Sequence, residues 1–170
     1  MVDSLKHWVT EYHIDGFRFD LMGVHDIETM NFIDSELRKI NPNIILYGEG
    51  WTGGSSPLPE GQRLVKKNIT QVERIGAFND DFRDGVKGHV FNATEGGFVG
   101  GVAGLEESVK FGIVGAVYHP QIAYDLVNYS KAPWANSPSQ SVNYVSAHDN
   151  LTLWDKLLVT NPDATDAQRI

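Results

Sequence analysis

Three acidic residues, Asp20, Glu49 and Asp149, each follow a short apolar run. Carboxyl groups placed in this way suit acid–base chemistry on a neutral, hydroxyl-rich substrate. Asp20 closes Asp15-Gly16-Phe17-Arg18-Phe19-Asp20, and Glu49 closes Ile44-Ile45-Leu46-Tyr47-Gly48-Glu49. A helix-length segment separates the two runs, so both acids can stand at the same end of one parallel sheet. Asp149 lies in Ser146-Ala147-His148-Asp149-Asn150, after the strand-like Val142-Asn143-Tyr144-Val145.

Each acid also has a plainer reading. On a strand, Phe17 and Phe19 share one face while Arg18 and Asp20 share the other. In an open sheet covered by helices on both sides, two charges there are costly. In a closed barrel that face is the lumen, and barrel enzymes work at its C-terminal rim. The plain alternative is an Arg–Asp pair that satisfies only itself. Gly48 and Gly50 leave space for a ligand around Glu49, although a strand-end Glu can also cap the following loop. Asp149 or Asn150 can equally cap a helix starting near Leu151. His148 and Asp149 reach one site only if the chain turns between strand and helix. Among the aromatics, Trp51 is the one expected near the site, as a platform for a sugar ring.

The elements that must position these residues follow from periodicity. Residues 3–12 read as an amphipathic helix with Leu5, Trp8, Val9 and Tyr12 in its stripe. Residues 14–20 and 44–48 read as strands, the second a continuous apolar run of the kind buried parallel strands show. Between them, residues 26–40 read as a helix capped by Asp26 and stopped by Asn41-Pro42. Residues 74–79 read as a third strand, 96–104 as an irregular glycine-rich stretch and 119–130 as a helix carrying Ile122, Leu126 and Tyr129. A fourth strand is expected over 142–147 and a helix over 151–159, with the start of another after Asn161-Pro162. The alternation of strands and helices argues for a parallel α/β sheet.

Composition narrows the chemistry. A net charge of −8 without a Lys/Arg cluster argues against a nucleic-acid partner. The chain has no cysteine, which removes thiolate chemistry and cysteine-ligated zinc. No apolar run approaches the roughly 18 residues of a membrane span. The N-terminus shows no basic segment followed by an apolar one, and cytoplasmic and secreted locations both stay open. The glycine-rich stretch lacks the Lys-Ser/Thr of a phosphate loop, which argues against a nucleotide-binding α/β domain.

Taken together and in order, the three acidic blocks resemble the fourth-, fifth- and seventh-strand motifs of the α-amylase family of glycoside hydrolases. The finer resemblance is to type I pullulanases. It rests on Leu21-Met22-Gly23 after Asp20, on Gly48-Glu49-Gly50-Trp51, and on Ala77-Phe78-Asn79-Asp80-Asp81-Phe82-Arg83-Asp84 with Lys87-Gly88. The resemblance implies an α/β fold that is part of a (β/α)8 TIM barrel, roughly strands four to seven with their helices. Residues 1–170 are then one partial catalytic domain with no second domain, internal to a larger enzyme. The implied activity is retaining hydrolysis of α-1,6-glucosidic branch links in pullulan, amylopectin or limit dextrins. Asp20 is implied as nucleophile, Glu49 as general acid and then base, and Asp149 as stabiliser of the transition state. Arg18, His148 and Trp51 are implied as substrate-binding residues, with an α-glucan as partner. No cofactor is implied; some relatives bind calcium, but no ligand cluster here identifies a metal site. The alternatives are an isoamylase- or amylopullulanase-type specificity and, in another class, a non-catalytic carbohydrate-binding fragment inactive without the rest of the barrel.

Overall fold

The apolar runs form a four-stranded parallel sheet, β1 (Gly16–Phe19), β2 (Ile45–Gly48), β3 (Ile75–Phe78) and β4 (Ser141–Val142), in the spatial order β1-β2-β3-β4. The structure is a computed structural model that describes residues 1–170. The chain divides into two units, Met1–Phe78 with Trp134–Val142, and Asn79–Pro133 with Asn143–Ile170.

The whole sheet belongs to the first unit, with helices α1 (Val2–Tyr12) and α2 (Ile27–Arg38). In-register pairing puts Phe19, Leu46, Ile75 and Ala77 on the buried side of the sheet. Met30, Ile33 and Leu37 form the buried stripe of α2, spaced as a 3.6-residue period requires. The opposite sheet face carries Arg18, Ile45, Tyr47, Gly76, Phe78 and Val142. Five of these six, all but Arg18, line an open hollow of about 530 Å³. Gln140, fully buried, donates from Nε2 to the carbonyls of Ile69 (3.1 Å) and Val72 (2.7 Å), tying the start of β4 to the segment that leads into β3.

The second unit is helical, with α3 (Asp80–Lys87), α4 (Glu106–Ile113), α5 (Leu153–Thr160) and the short α6 (Asp166–Arg169). Asn79 caps α3 by accepting the N–H of Phe82 (3.1 Å). Small residues set the approach of α3 to α4. A methyl on Gly112 would lie 2.1 Å from the Phe82 ring, and one on Gly85 would lie 2.8 Å from Ser108 Cβ.

Two expected elements are corrected here. Residues 119–130 are not a helix; only a 3-10 turn at Tyr124–Leu126 forms. Side chains capture the main-chain donors a helix would need: Glu107 takes the N–H of Ala123 (2.9 Å), Ser108 that of Asn128 (2.9 Å) and Asp81 those of Tyr129 (2.7 Å) and Ser130 (2.9 Å). The strand expected over 142–147 is only Ser141–Val142; beyond it the Asn143 side-chain amide donates to the Gly112 carbonyl (2.8 Å) and the Tyr144 hydroxyl accepts from Arg83 (2.7 Å).

The Asp26 cap yields a test. Its carboxylate accepts the N–H (2.7 Å) and hydroxyl (2.7 Å) of Thr29, and these bonds, the backbone one first, hold its pKa below the usual Asp value. A depressed carboxylate stabilises the fold above its unfolded pKa, about 3.9, and loses that contribution as pH falls through the folded value. Asp26→Ala should therefore cost about 1 kcal/mol at neutral pH in urea unfolding. The gap to the parent should close in more acidic solution.

Candidate active site

The register of β1 and β2 brings the first two acids together. Phe19 pairs with Gly48, so Asp20 and Glu49 are the next residues of neighbouring parallel strands at the same end of the sheet. Gly48 allows that approach, since a methyl there would lie 2.5 Å from the Phe19 carbonyl. The Glu49 N–H continues the ladder to the same carbonyl (3.0 Å). One oxygen of Asp20 and one of Glu49 lie within 4.8 Å of each other.

Arg18 joins them. Its Nη1 donates to Asp20 Oδ1, and its Nη2 donates to Glu49 Oε1 at 2.6 Å. The guanidinium also stands 5.6 Å from the centre of the Phe78 ring, which itself meets Tyr47 edge-on at 5.4 Å. Burial opposes the charge of Arg18, but the bond to Asp20 and the charges of both acids outweigh it and raise its pKa. The environments of the two acids differ: Glu49 is 3 % exposed, while the Asp20 side chain is 60 % exposed. A nucleophile needs access, and an acid that must keep its proton from water needs shelter.

The loop after β1 completes the shelter. Leu21 adopts a left-handed conformation (φ 43°, ψ 47°) and donates its N–H to Glu49 Oε2 at 2.6 Å. The Gly23 N–H is shared between the carbonyls of Glu49 (3.2 Å) and Trp51 (3.0 Å). These main-chain donors escaped the sequence reading; Gly23 was its only visible trace. Trp51 is half-buried two residues beyond Glu49, beside an open hollow of about 360 Å³ that Lys66 and Arg63 also line.

His148 and Asp149 lie in the second unit, on the loop between Val142 and α5. The chain does turn there, with Asn150 at φ 58°. His148 Nε2 stands 3.6 Å from Asp149 Oδ1, and both side chains are exposed. The cap of α5 is Thr152, which accepts the Asp155 N–H (3.2 Å), so neither Asp149 nor Asn150 serves as that cap. Helix α3 grips this loop on both sides. Arg83 donates to the Tyr144 hydroxyl (2.7 Å), and the buried Lys87 donates to the Leu151 carbonyl (2.8 Å). Burial, followed by the charge of Arg83, lowers the pKa of Lys87.

Comparison with known proteins bears on this arrangement. No family model matches the chain. The pullulanase of Bacillus subtilis strain 168 is 38% identical over 169 residues, which is 99% of this chain and 22% of that protein. The chain belongs with the pullulanases. A crystal structure of the Paenibacillus barengoltzii pullulanase, in complex with maltohexaose and alpha-cyclodextrin, superimposes with a TM-score of 0.86 at 46% identity. That match covers 99% of this chain and 25% of the solved one. The type I pullulanase of B. subtilis strain 168, solved with maltose, gives 0.88 at 39% identity, covering 99% of this chain and 22% of that one. The chain thus spans about a fifth to a quarter of the length of these pullulanases. The parallel sheet with its helices fits the α/β fold of that group.

The close approach at Gly23 gives a direct check. A methyl there would lie 2.6 Å from the Trp51 carbonyl, whose chain must shift and take Glu49 with it. Gly23→Ala should destabilise by about 2 kcal/mol in denaturant unfolding. Gly54→Ala, where a methyl meets nothing within 4 Å, should stay within about 0.5 kcal/mol of the parent.

Proposed function

We propose that this chain supplies the catalytic carboxyl groups of a starch-debranching glycoside hydrolase that cleaves α-1,6-glucosidic links with retention. The observation that carries the proposal is the Arg18-bridged pair of Asp20 and Glu49, with oxygens within 4.8 Å. Retaining glycosidases hold their two carboxyl groups about 5–5.5 Å apart, whereas inverting ones leave about 6.5–9.5 Å for a water. The four strands are read as strands four to seven of an eight-stranded barrel, which places both acids at its C-terminal rim.

In this reading the exposed Asp20 attacks the anomeric carbon. Glu49 gives its proton to the glycosidic oxygen as the carbon–oxygen bond breaks. The sugar is then an ester of Asp20, and Glu49, now a carboxylate, takes a proton from water as that water displaces Asp20. Asp149 and His148 are assigned to sugar hydroxyls, through bonds that strengthen as positive charge develops at the anomeric carbon. Arg18 orients Asp20 through its hydrogen bond, and Trp51 offers a ring for sugar stacking. Water is the only co-reactant, and no cofactor is assigned. The pullulanase names of the relatives support the choice of α-1,6 branch links in pullulan and related α-glucans.

In the complete protein, Asp20→Asn and Glu49→Gln should each lower the release of reducing ends from pullulan by roughly a thousandfold or more. Circular dichroism should stay that of the parent. Turnover within tenfold of the parent in either variant would remove that residue from its role.

A further inference from the structure

We infer that the main-chain N–H of Leu21 is a positioning group for proton transfer, and that it divides the labour between the two oxygens of Glu49. The inference rests on the reading of Glu49 as general acid and base.

Both Glu49 oxygens are engaged. Arg18 Nη2 donates to Oε1 (2.6 Å) and the Leu21 N–H donates to Oε2 (2.6 Å). The two donors differ in kind. Arg18 is a side chain with a second partner in Asp20, so it can withdraw from Oε1 without losing all of its bonds. The Leu21 donor is fixed in the backbone. The turn Met22–Val24 follows it at once, and Gly23 is held by the carbonyls of Glu49 and Trp51. An N–H cannot accept a proton, so a hydroxyl on Oε2 would meet a donor head-on. Oε2 is therefore the permanent acceptor, and Oε1 carries the proton that moves. In the forward step that proton passes from Oε1 to the glycosidic oxygen while the anomeric carbon bonds to Asp20. In the second step Oε1 receives a proton from the attacking water.

The conformation of Leu21 supports a directed role. A branched aliphatic residue seldom takes positive φ, and here φ is 43°. The positive φ turns the chain sharply after this amide into Met22–Val24 while its N–H stays on Oε2. Backbone strain held by its surroundings, beside a nearly buried carboxyl, is where positioning is expected.

The test replaces residue 21 of the complete protein by the α-hydroxy acid of leucine. This turns the amide into an ester: the N–H becomes an oxygen, every side chain is kept, and the Asp20 carbonyl becomes a weaker acceptor. Turnover of a branched α-glucan should fall about tenfold, with KM changed less than twofold. An α-maltosyl fluoride, whose leaving group departs without a proton, should show an initial burst of fluoride close to the parent's. A purely structural role would slow both substrates alike. Equal losses on both, or no loss on either, would overturn the inference. Should the ester protein fail to fold, Leu21→Val, disfavoured at positive φ, should fall at least fivefold below Leu21→Asn, which tolerates it, on the glycan. On the fluoride the two should be equal. Equal rates on the glycan would again overturn it. Glu49→Gln separates the two ideas. If that variant is inactive while the residue-21 variants lose equally on both substrates or on neither, only the Leu21 role falls. If it stays active, the acid–base reading falls and the Leu21 role falls with it.

Discussion

The first unit depends on one cation held between two carboxyl groups. Two carboxylates cannot stand within 4.8 Å of each other at no cost unless positive charge is shared between them. Arg18 supplies that charge from the strand that carries Asp20, two residues earlier on the same face. Its planar fork reaches both acids at once, which a lysine ammonium on a flexible stem would not reproduce. The Phe78 ring steadies the guanidinium, and Gly48 lets β2 come close enough for Glu49 to meet it. Sheet register, an aromatic contact and a missing side chain thus serve one electrostatic arrangement.

The second unit depends on α3 in a comparable way. Its acids hold the chain at 129–130: Asp81 accepts two main-chain donors and the Ser130 hydroxyl, and Asp84 accepts the Tyr129 hydroxyl (2.6 Å). Its cations hold the other segment, Arg83 at Tyr144 and Lys87 at Leu151. Asp84 also accepts Arg83 Nε (2.6 Å), so the two sets are linked. Buried charges are costly unless paired and hydrogen-bonded, and here the pairing fixes both ends of the loop that carries His148 and Asp149. Lys156 repeats the device by capping the carbonyls of His89 and Asn92 with a buried ammonium.

Legibility in the sequence followed the range of the interactions. β1, β2, β3 and α2 were legible because apolar period and the Asp26 cap act within a few residues. The pairing of Asp20 with Glu49 was legible because equal positions on neighbouring parallel strands follow from the spacing of the runs. Helix α4 was not expected: it leans on α3 through the Phe82 ring against Gly112, a contact between residues far apart in the sequence. The spacing of Ile122, Leu126 and Tyr129 suggested a helix that side chains of α3 and α4 had already pre-empted, by taking the N–H groups it needed. The Leu21 donor was invisible because a backbone angle, not a residue type, aims it at Glu49.

The bridge also explains how one arrangement can serve both halves of the proposed cycle. In that proposed cycle, before the glycosidic bond breaks, Asp20 is assigned as the anion, Arg18 as the cation and Glu49 as the proton carrier, so the trio is neutral. Once the sugar is esterified to Asp20 and the proton has left, Asp20 is neutral and Glu49 is the anion. The trio is neutral again. Negative charge has crossed from one end of the guanidinium to the other, and as the proton leaves Oε1 the Nη2 group can close again on the oxygen it meets in this structure, while Nη1 keeps its bond to Asp20. No ion has to enter and no loop has to move to meet the new charge. Groups set in place before charge develops cost no reorganisation when it does, which is the sense in which such a site is preorganised.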